Sequence, residues 1–267
     1  MRSHLSKCII DVTSKAHSFR AQTGGQGRTG SRASIKGAGS SFKRHLANCR
    51  RYQGSQICSN SNRSSETVKT MEVEVKIRLP DRVAYDKVAL KLAAGLRVTH
   101  EQENYFFDGP GNELNSKRTV LRLRFYDTDK KAVVTIKGEQ VLKDGIGTAP
   151  EVEESVDPVL ARGYLSNPLD MLVGSPLVKT LAEKSALPGL VCIGGFRNRR
   201  QEYEWEGVVL ELDETYFEHG TVYEIECETD QPEMLRDKLE TLLKSAGIEY
   251  GYSGVSKFAN FIKKTLL

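Results

Sequence analysis

The sequence predicts an α+β chain built on a closed eight-stranded antiparallel β-barrel, a tunnel with a charged interior and amphipathic helices packed outside. Three observations carry that prediction. Five separate stretches alternate charged and apolar residues: Glu72-Val73-Glu74-Val75-Lys76, Leu121-Arg122-Leu123-Arg124-Phe125, Val134-Thr135-Ile136-Lys137, Leu210-Glu211-Leu212-Asp213 and Tyr223-Glu224-Ile225-Glu226-Cys227-Glu228. Eight segments in all read as strands. The helical segments each carry an apolar stripe, and the apolar faces of the strands are the only large surface on which those stripes can be buried.

In order along the chain, the first strand spans 72–79, and Pro80 and Asp81 then open a helix with Tyr85, Val88, Ala89 and Leu92 on one stripe and Gly95 at its end. Strands follow at 97–108, 119–126, 132–137 and 151–156. A helical pattern fills 176–186, and three further strands read at 191–205, 208–214 and 221–228. A helix over 231–246 places Leu235, Leu239, Leu242 and Leu243 in a stripe between Pro232 and Gly247. The last helix runs from about Ser256 to the terminus, with Phe258, Phe261 and Ile262 on one side. Gly109-Pro110-Gly111-Asn112 and Gly145-Ile146-Gly147 read as hairpin turns and not as phosphate loops, because no Lys-Ser or Lys-Thr follows them.

Successive strand side chains point to opposite faces. Any one of the five stretches alone reads as a strand with a solvated outer face. Together they divide into carboxylate strands and cationic strands, as the walls of an enclosed charged channel would. If Val73, Val75, Leu121, Leu123, Leu210, Leu212, Tyr223 and Ile225 face outward under helices, then Glu72, Glu74, Lys76, Arg122, Arg124, Lys137, Glu211, Asp213, Glu224 and Glu226 line the interior. Buried charges without partners are costly. A polyanion accompanied by a divalent cation would satisfy both walls at once, and polyphosphate with Mg2+ does so.

Composition narrows the classes. Residues 1–70 hold 13 Lys or Arg against Asp11 and Glu66, a balance of +11, which leaves residues 71–267 at −7. An acidic domain is a poor general binder of nucleic acid, whose affinity comes from phosphate neutralisation. No apolar run approaches the roughly 20 residues of a membrane span. The first 70 residues, with 13 Ser, 7 Gly and little apolar periodicity, read as a disordered basic extension. It is either an organelle transit peptide, which would place the protein in chloroplast or mitochondrion, or sequence upstream of a true start at Met71, which would place it in the cytoplasm. Cys8, Cys49, Cys58, Cys192 and Cys227 show no metal-ligand spacing, which argues against structural zinc and a disulfide framework. None of His4, His17, His45, His100 and His219 falls in a ligand pattern.

Glu72-Val73-Glu74-Val75-Lys76 resembles the E-x-E-x-K signature of the CYTH domain, or triphosphate tunnel metalloenzyme, family. Leu121-Arg122-Leu123-Arg124, Thr135-Ile136-Lys137-Gly138, Glu151-Val152-Glu153-Glu154, the Arg-rich strand, Glu224-Ile225-Glu226 and Ser256-Lys257 follow in the family's order over nearly all of 71–267, most like its short plant inorganic triphosphatases. The resemblance implies that Glu72, Glu74, Glu224 and Glu226 hold Mg2+ or Mn2+. It implies that Lys76, Arg122, Arg124, Lys137, Arg200 and Lys257 grip the triphosphate, Arg being suited to bidentate phosphate contact. Lys257 is further implied to orient or deprotonate the attacking water, its pKa lowered by a positively crowded site, or else to contact phosphate. With Lys257, Glu224 and Glu226 form the catalytic set. Glu151, Glu153, Glu211 and Asp213 are expected on the tunnel floor or behind the ligands, with a structural ion-pair network the competing reading. Alternation selects Arg200: with Tyr203 and Trp205 in the outer core, Asn198, Arg200, Glu202 and Glu204 face inward, and Arg197 and Arg199 face away. The implied reaction is hydrolysis of a linear triphosphate, foremost inorganic tripolyphosphate; the sequence leaves the oligomeric state open, with a monomer favoured. Cyclisation of ATP and hydrolysis of thiamine triphosphate or RNA 5′ ends are the alternatives on the same fold. A non-catalytic polyphosphate sensor is the alternative of another class.

Overall fold

The structure, a computed structural model, describes residues 70–267. The expectations for the basic extension, with Cys8, Cys49, Cys58, His4, His17 and His45, lie outside the described residues.

Alternation in the first strand, β1 (Thr70–Leu79), buries Val75, Ile77 and Leu79 on one face and Glu74 and Lys76 on the other. The same two-faced pattern recurs in β2 (Leu96–Asp108), β3 (Val120–Tyr126), β4 (Lys131–Lys137), β6 (Ile146–Val156), β7 (Val191–Trp205), β8 (Val208–Phe217) and β9 (Gly220–Glu228). These eight strands pair antiparallel in the order β1-β9-β8-β7-β2-β3-β4-β6, and β6 pairs back onto β1 to close the ring. Two short strands, β5 (Val141–Lys143) and β10 (Gly251–Tyr252), flank the seam. On one edge of β1, β6 pairs with Thr70–Val75 and stops, and β10 takes over opposite Ile77 and Arg78. Between them the Lys76 N–H donates to Gly145 O at 2.7 Å and its carbonyl accepts from Ser253 N at 3.3 Å. Neither backbone group of Lys76 is stranded there.

The helices cover the outward apolar faces in two groups. Packed on β1, β8 and β9 are α1 (Arg82–Leu92), capped by Asp81, and α5 (Pro232–Ser245). They bury Tyr85, Val88, Leu92, Leu235, Leu239 and Leu243 against Ile77, Leu210, Leu212 and Ile225. A second core joins Leu121, Leu123, Phe125 and Val134 to α2 (Pro158–Ser166), α3 (Met171–Gly174) and α4 (Pro176–Ser185). Each fully buried Leu, Ile or Phe stabilises the fold by roughly 1.5–3 kcal/mol. The last helix, α6 (Lys257–Lys263), is different: Phe258 and Phe261 turn inward onto Phe106 with ring centroids 4.9 and 5.5 Å away. Phe196 and Phe217 join them, 4.9 Å apart, so an aromatic plug closes the barrel beneath α6.

The structure departs from the sequence expectation in five places. The last helix, expected to reach the terminus, ends at Lys263, where Lys264 turns left-handed (φ 51°), and Ile262 on its stripe is exposed. The strand expected at 151–156 begins at Ile146, its first half hidden from pattern reading by Gly147 and Pro150. The hairpin turn falls on Asp144 and Gly145, both at positive φ (51° and 77°) as a tight β-turn of this type requires, while Ile146 and Gly147 are already in β6. Gly109–Asn112 is not a tight hairpin but the start of a longer connection, held by Asp108, whose carboxylate accepts from the Gly109, Leu114 and Asn115 N–H groups. Helices α2 and α3 were not anticipated, because α2 buries only Ala161 and Tyr164 and leaves Val159 and Leu160 exposed, so no stripe is visible.

Candidate functional site

The inward faces of the barrel enclose a cavity of about 1020 Å³. Register decides which charges meet there. Across β1 and β9, Lys76 faces Glu226, Arg78 faces Glu224 and Glu74 faces Glu228. Across β7 and β8, Arg200 faces Asp213, and across β4 and β6 Lys137 faces Glu151.

Near α6 the charges satisfy one another. Arg200 grips Asp213 with two hydrogen bonds, Nε to Oδ1 at 2.8 Å and Nη2 to Oδ2 at 2.6 Å, and reaches Glu226 at 2.9 Å and Glu211. Lys76 Nζ lies 2.6 Å from Glu226 and 3.1 Å from Glu74. Lys257 Nζ lies 2.8 Å from Asp213 and 3.2 Å from Glu224, and contacts Glu226. Burial opposes ionisation of Asp213, yet Arg200 and Lys257 hold it at about 2. Burial likewise works against the Glu226 charge, and Lys257, Lys76 and Arg200 overcome it and hold the carboxyl well below the usual range. For Lys257, burial favours the neutral amine, but Asp213, Glu226 and Glu224 outweigh it and raise the pKa. This corrects one expectation: Lys257 stands among carboxylates, not in a positively crowded pocket, and is an ammonium ion. Glu211 behaves differently from its neighbours, since burial and the nearby Asp213 and Glu226 charges, only partly offset by Arg200, push it up to about 7.

Toward the open wall, satisfaction fails. Lys137 Nζ bridges Glu72 at 2.6 Å and Glu151 at 2.8 Å. Burial and the hydrogen bond to Glu72 push Glu151 up to about 8, whereas Glu72, despite burial, is held at about 2 by that same hydrogen bond and by Lys137. The pair therefore shares one proton at neutral pH. Burial and the Glu72 charge also raise Glu228. Arg122 reaches Glu151 and Glu153 only at 3.6 Å, and burial beside Arg124 draws its pKa down to about 10. Its Nε has no hydrogen-bond partner among the described residues. Arg124 has only neutral partners, Asn104 Oδ1 at 2.8 Å and Tyr126 Oη at 3.2 Å, and no carboxylate within ion-pairing distance among the described residues.

Of the residues expected inside, Glu72, Glu74, Lys76, Arg122, Arg124, Lys137, Glu151, Glu153, Arg200, Glu211, Glu226 and Lys257 line the cavity. Glu224 and Asp213 stand behind the wall, Glu224 held by Ser253 Oγ at 2.6 Å and by Arg78 at 3.3 Å, so its expected place facing the ligand is corrected. Glu228 occupies the wall beside Glu74 instead. Continuing the alternation of Glu224 and Glu226 by one more step would have found it. Asn104 and Tyr126 were missed because the inward face of β2 and the end of β3 carry neutral residues. Between Asn198 and Trp205 the pairing of β7 with β8 has no bulge, and Arg199 points outward to Glu101 at 3.4 Å while Tyr203 lies in the outer core.

A hard divalent cation takes oxygen ligands, and Glu72, Glu74, Glu151 and Glu228 supply them where protons now offset the crowding of charge. Among the described residues no three acidic, His or Cys side chains already converge as a finished metal cage. The donor chemistry fits the cation, and the lysine contacts of Glu72 and Glu74 would have to loosen to admit it.

The family model described as the CYTH domain matches residues 70–262. A solved structure from Hippeastrum, described as that of an adenylyl cyclase candidate revealing a dominant triphosphatase activity, is 41% identical, with a TM-score of 0.71 over 73% of this chain and 97% of that one. An adenylate cyclase candidate from Bacillus halodurans shares 21% identity, with a TM-score of 0.57 over 72% and 98% of the two chains. The PH1819 protein of Pyrococcus horikoshii shares 20%, with a TM-score of 0.50 over 72% and 99%. These last two are likenesses of fold. No curated protein matches the chain.

Proposed function

The chain belongs to the CYTH domain family, and from that premise we propose that it hydrolyses linear triphosphates, with inorganic tripolyphosphate as substrate and Mg2+ or Mn2+ as cofactor. One observation carries the reading. On the inward face of β3, in a cavity whose opposite wall is acid, Arg122 Nε has no partner and Arg124 no carboxylate partner among the described residues, and Arg122 Nη2 reaches Glu151 and Glu153 only at 3.6 Å. Such an arrangement is costly for an empty barrel and favourable for one holding a polyanion. The 41% identical Hippeastrum protein, with its dominant triphosphatase activity, supports the choice of reaction.

Arg122, Arg124 and Lys137 bind the phosphoryl oxygens, Arg by its planar fork. Glu72, Glu74 and Glu228, with Glu151 when its proton leaves, would hold the cation, which when bound offsets charge on the phosphoryl oxygens and lowers the pKa of an attacking water. Arg200 and Lys76 are fixed by Glu226 and Asp213 before any substrate arrives, so their charge costs no reorganisation. Lys257, as an ammonium, donates: it orients water or steadies an oxygen and does not accept the proton.

The test is phosphate release by the full-length chain from tripolyphosphate, ATP and thiamine triphosphate, with Mg2+ and with Mn2+. Fastest turnover of tripolyphosphate that collapses in Glu74→Ala is expected. Turnover indifferent to chelation, or cyclic nucleotide as the main product from ATP, would replace this reading. Tight polyphosphate binding without any phosphate release would mark a sensor.

A further inference from the structure

Asn104 on β2 has no part in the roles above, yet its surroundings are not those of a structural amide. It is 1% exposed and lies on the cavity wall. Its Oδ1 accepts from Arg124 Nε at 2.8 Å. A guanidinium can only donate, so the amide cannot be turned over, and Nδ2 is fixed as the end carrying hydrogens. That NH2 group has no partner among the described residues. The neighbouring inward amides differ: Asn198 is engaged at both ends, by Thr215 Oγ1 at 2.7 Å and Gln102 Oε1 at 3.0 Å, and Gln102, whose Nε2 is also unpartnered among the described residues, is off the cavity wall. Among the described inward amides, Asn104 alone combines a locked orientation, an unmet donor and a place on the cavity wall.

We propose that Asn104 is a substrate-binding residue: its Oδ1 sets the plane of the Arg124 guanidinium, and its Nδ2 donates to an oxygen of the phosphoryl group that Arg124 binds. The inference rests on the triphosphate reading and deepens it. A neutral donor adds direction without adding charge to a wall where burial and the neighbouring Arg124 already lower the pKa of Arg122. Two donors held rigid to each other specify where a tetrahedral group sits, which neither a lone guanidinium nor a lysine does.

The experiment measures tripolyphosphate binding by calorimetry without divalent metal, and turnover with Mg2+, for the full-length wild type, N104D, N104A, R124A and the R124A/N104A double variant. N104D keeps an oxygen for Arg124 Nε and removes the donor. It is expected to weaken binding by about tenfold or more, while the empty protein melts no lower than wild type because a carboxylate now faces Arg124. In the R124A background, N104A is expected to cost a further threefold or so in affinity. If R124A/N104A binds as R124A does, Asn104 acts only through Arg124 and the proposal is overturned, though the triphosphate reading stands. If the wild type binds no tripolyphosphate, both fall together.

Discussion

The two ends of the barrel interior hold similar residues in opposite electrostatic states. Beneath α6, Arg200, Lys76 and Lys257 are matched by Asp213, Glu226 and Glu224, so Asp213 and Glu226 are held ionised despite burial. Along the open wall, burial and the hydrogen bond to Glu72 keep the Glu151 proton to about 8, and burial beside Arg124 draws Arg122 down to about 10, the opposite charges nearby being too few to offset either. One region is complete without a ligand and the other is not. Buried charge is thus divided between a scaffold that positions groups and a surface that waits for them, and the two should fail differently when mutated.

The largest expected effect is on the complete region. Asp213→Ala strips Arg200 and Lys257 of a carboxylate that is 0% exposed. Breaking a buried pair from one side costs about 3–5 kcal/mol, so denaturant melts should show a marked drop in midpoint at unchanged slope. A loss under about 1 kcal/mol would mean that the network is not what holds that end together. Arg124→Ala probes the other region and should invert the pattern. Having no carboxylate partner among the described residues, Arg124 leaves no stranded charge behind, and stability should move by about 1 kcal/mol or less. Turnover of tripolyphosphate should fall about 100-fold, in line with the loss of one charge-stabilising donor. Equal losses of stability in the two variants would erase the contrast.

The division was partly legible in the sequence. Strict alternation in Glu72-Val73-Glu74-Val75-Lys76 and in Leu121-Arg122-Leu123-Arg124 shows that acids and bases share an inward face, because period-two patterning is a property of one strand. Who partners whom is a property of two strands. The setting of Lys257 among three carboxylates follows from the β8–β9 register and the docking of α6, neither of which a single strand encodes. The same holds for Glu224, placed behind the wall by Arg78 and Ser253. Asn104 escaped for a simpler reason: charge was the signal sought, and Gln102-Glu103-Asn104 puts neutral amides on the inward face. The strand before Glu151 escaped because Gly147 and Pro150 break any β-propensity, although Gly147 in fact lets the Glu74 side chain approach the backbone.

A smaller effect sharpens the electrostatic half of the contrast. Glu151 is protonated in the folded chain up to about 8 and has a reference value of 4.5, so the folded state holds that proton more tightly than the unfolded one. Its contribution to stability is fully present below pH 4.5 and is lost as pH rises through 8. Glu72, held at about 2, works in the other direction but only below pH 4.5. Glu151→Gln keeps an N–H donor for Glu72 and removes the titration. Between pH 5 and 8 the wild type should therefore lose on the order of 2 kcal/mol more than the variant, read as a flatter dependence of melting temperature on pH in Glu151→Gln. Parallel curves would show that the two carboxyls do not share a proton.

The smallest effect tests the premise beneath the rest. Arg199 and Arg200 are adjacent in β7, and alternation alone sends one outward to Glu101 and the other inward to Asp213. The outward pair is 3.4 Å apart, with the Arg199 and Glu101 side chains 34% and 66% exposed, the setting in which ion pairs contribute little. Arg199→Ala should leave tripolyphosphate turnover within about twofold of wild type and stability within about 0.5 kcal/mol, while Arg200→Ala should damage both. Identical residues one position apart differ in consequence only if the strand's pleat decides which charge reaches the cavity, so a severe Arg199→Ala phenotype would place the register of β7 one residue away from where its hydrogen bonds put it.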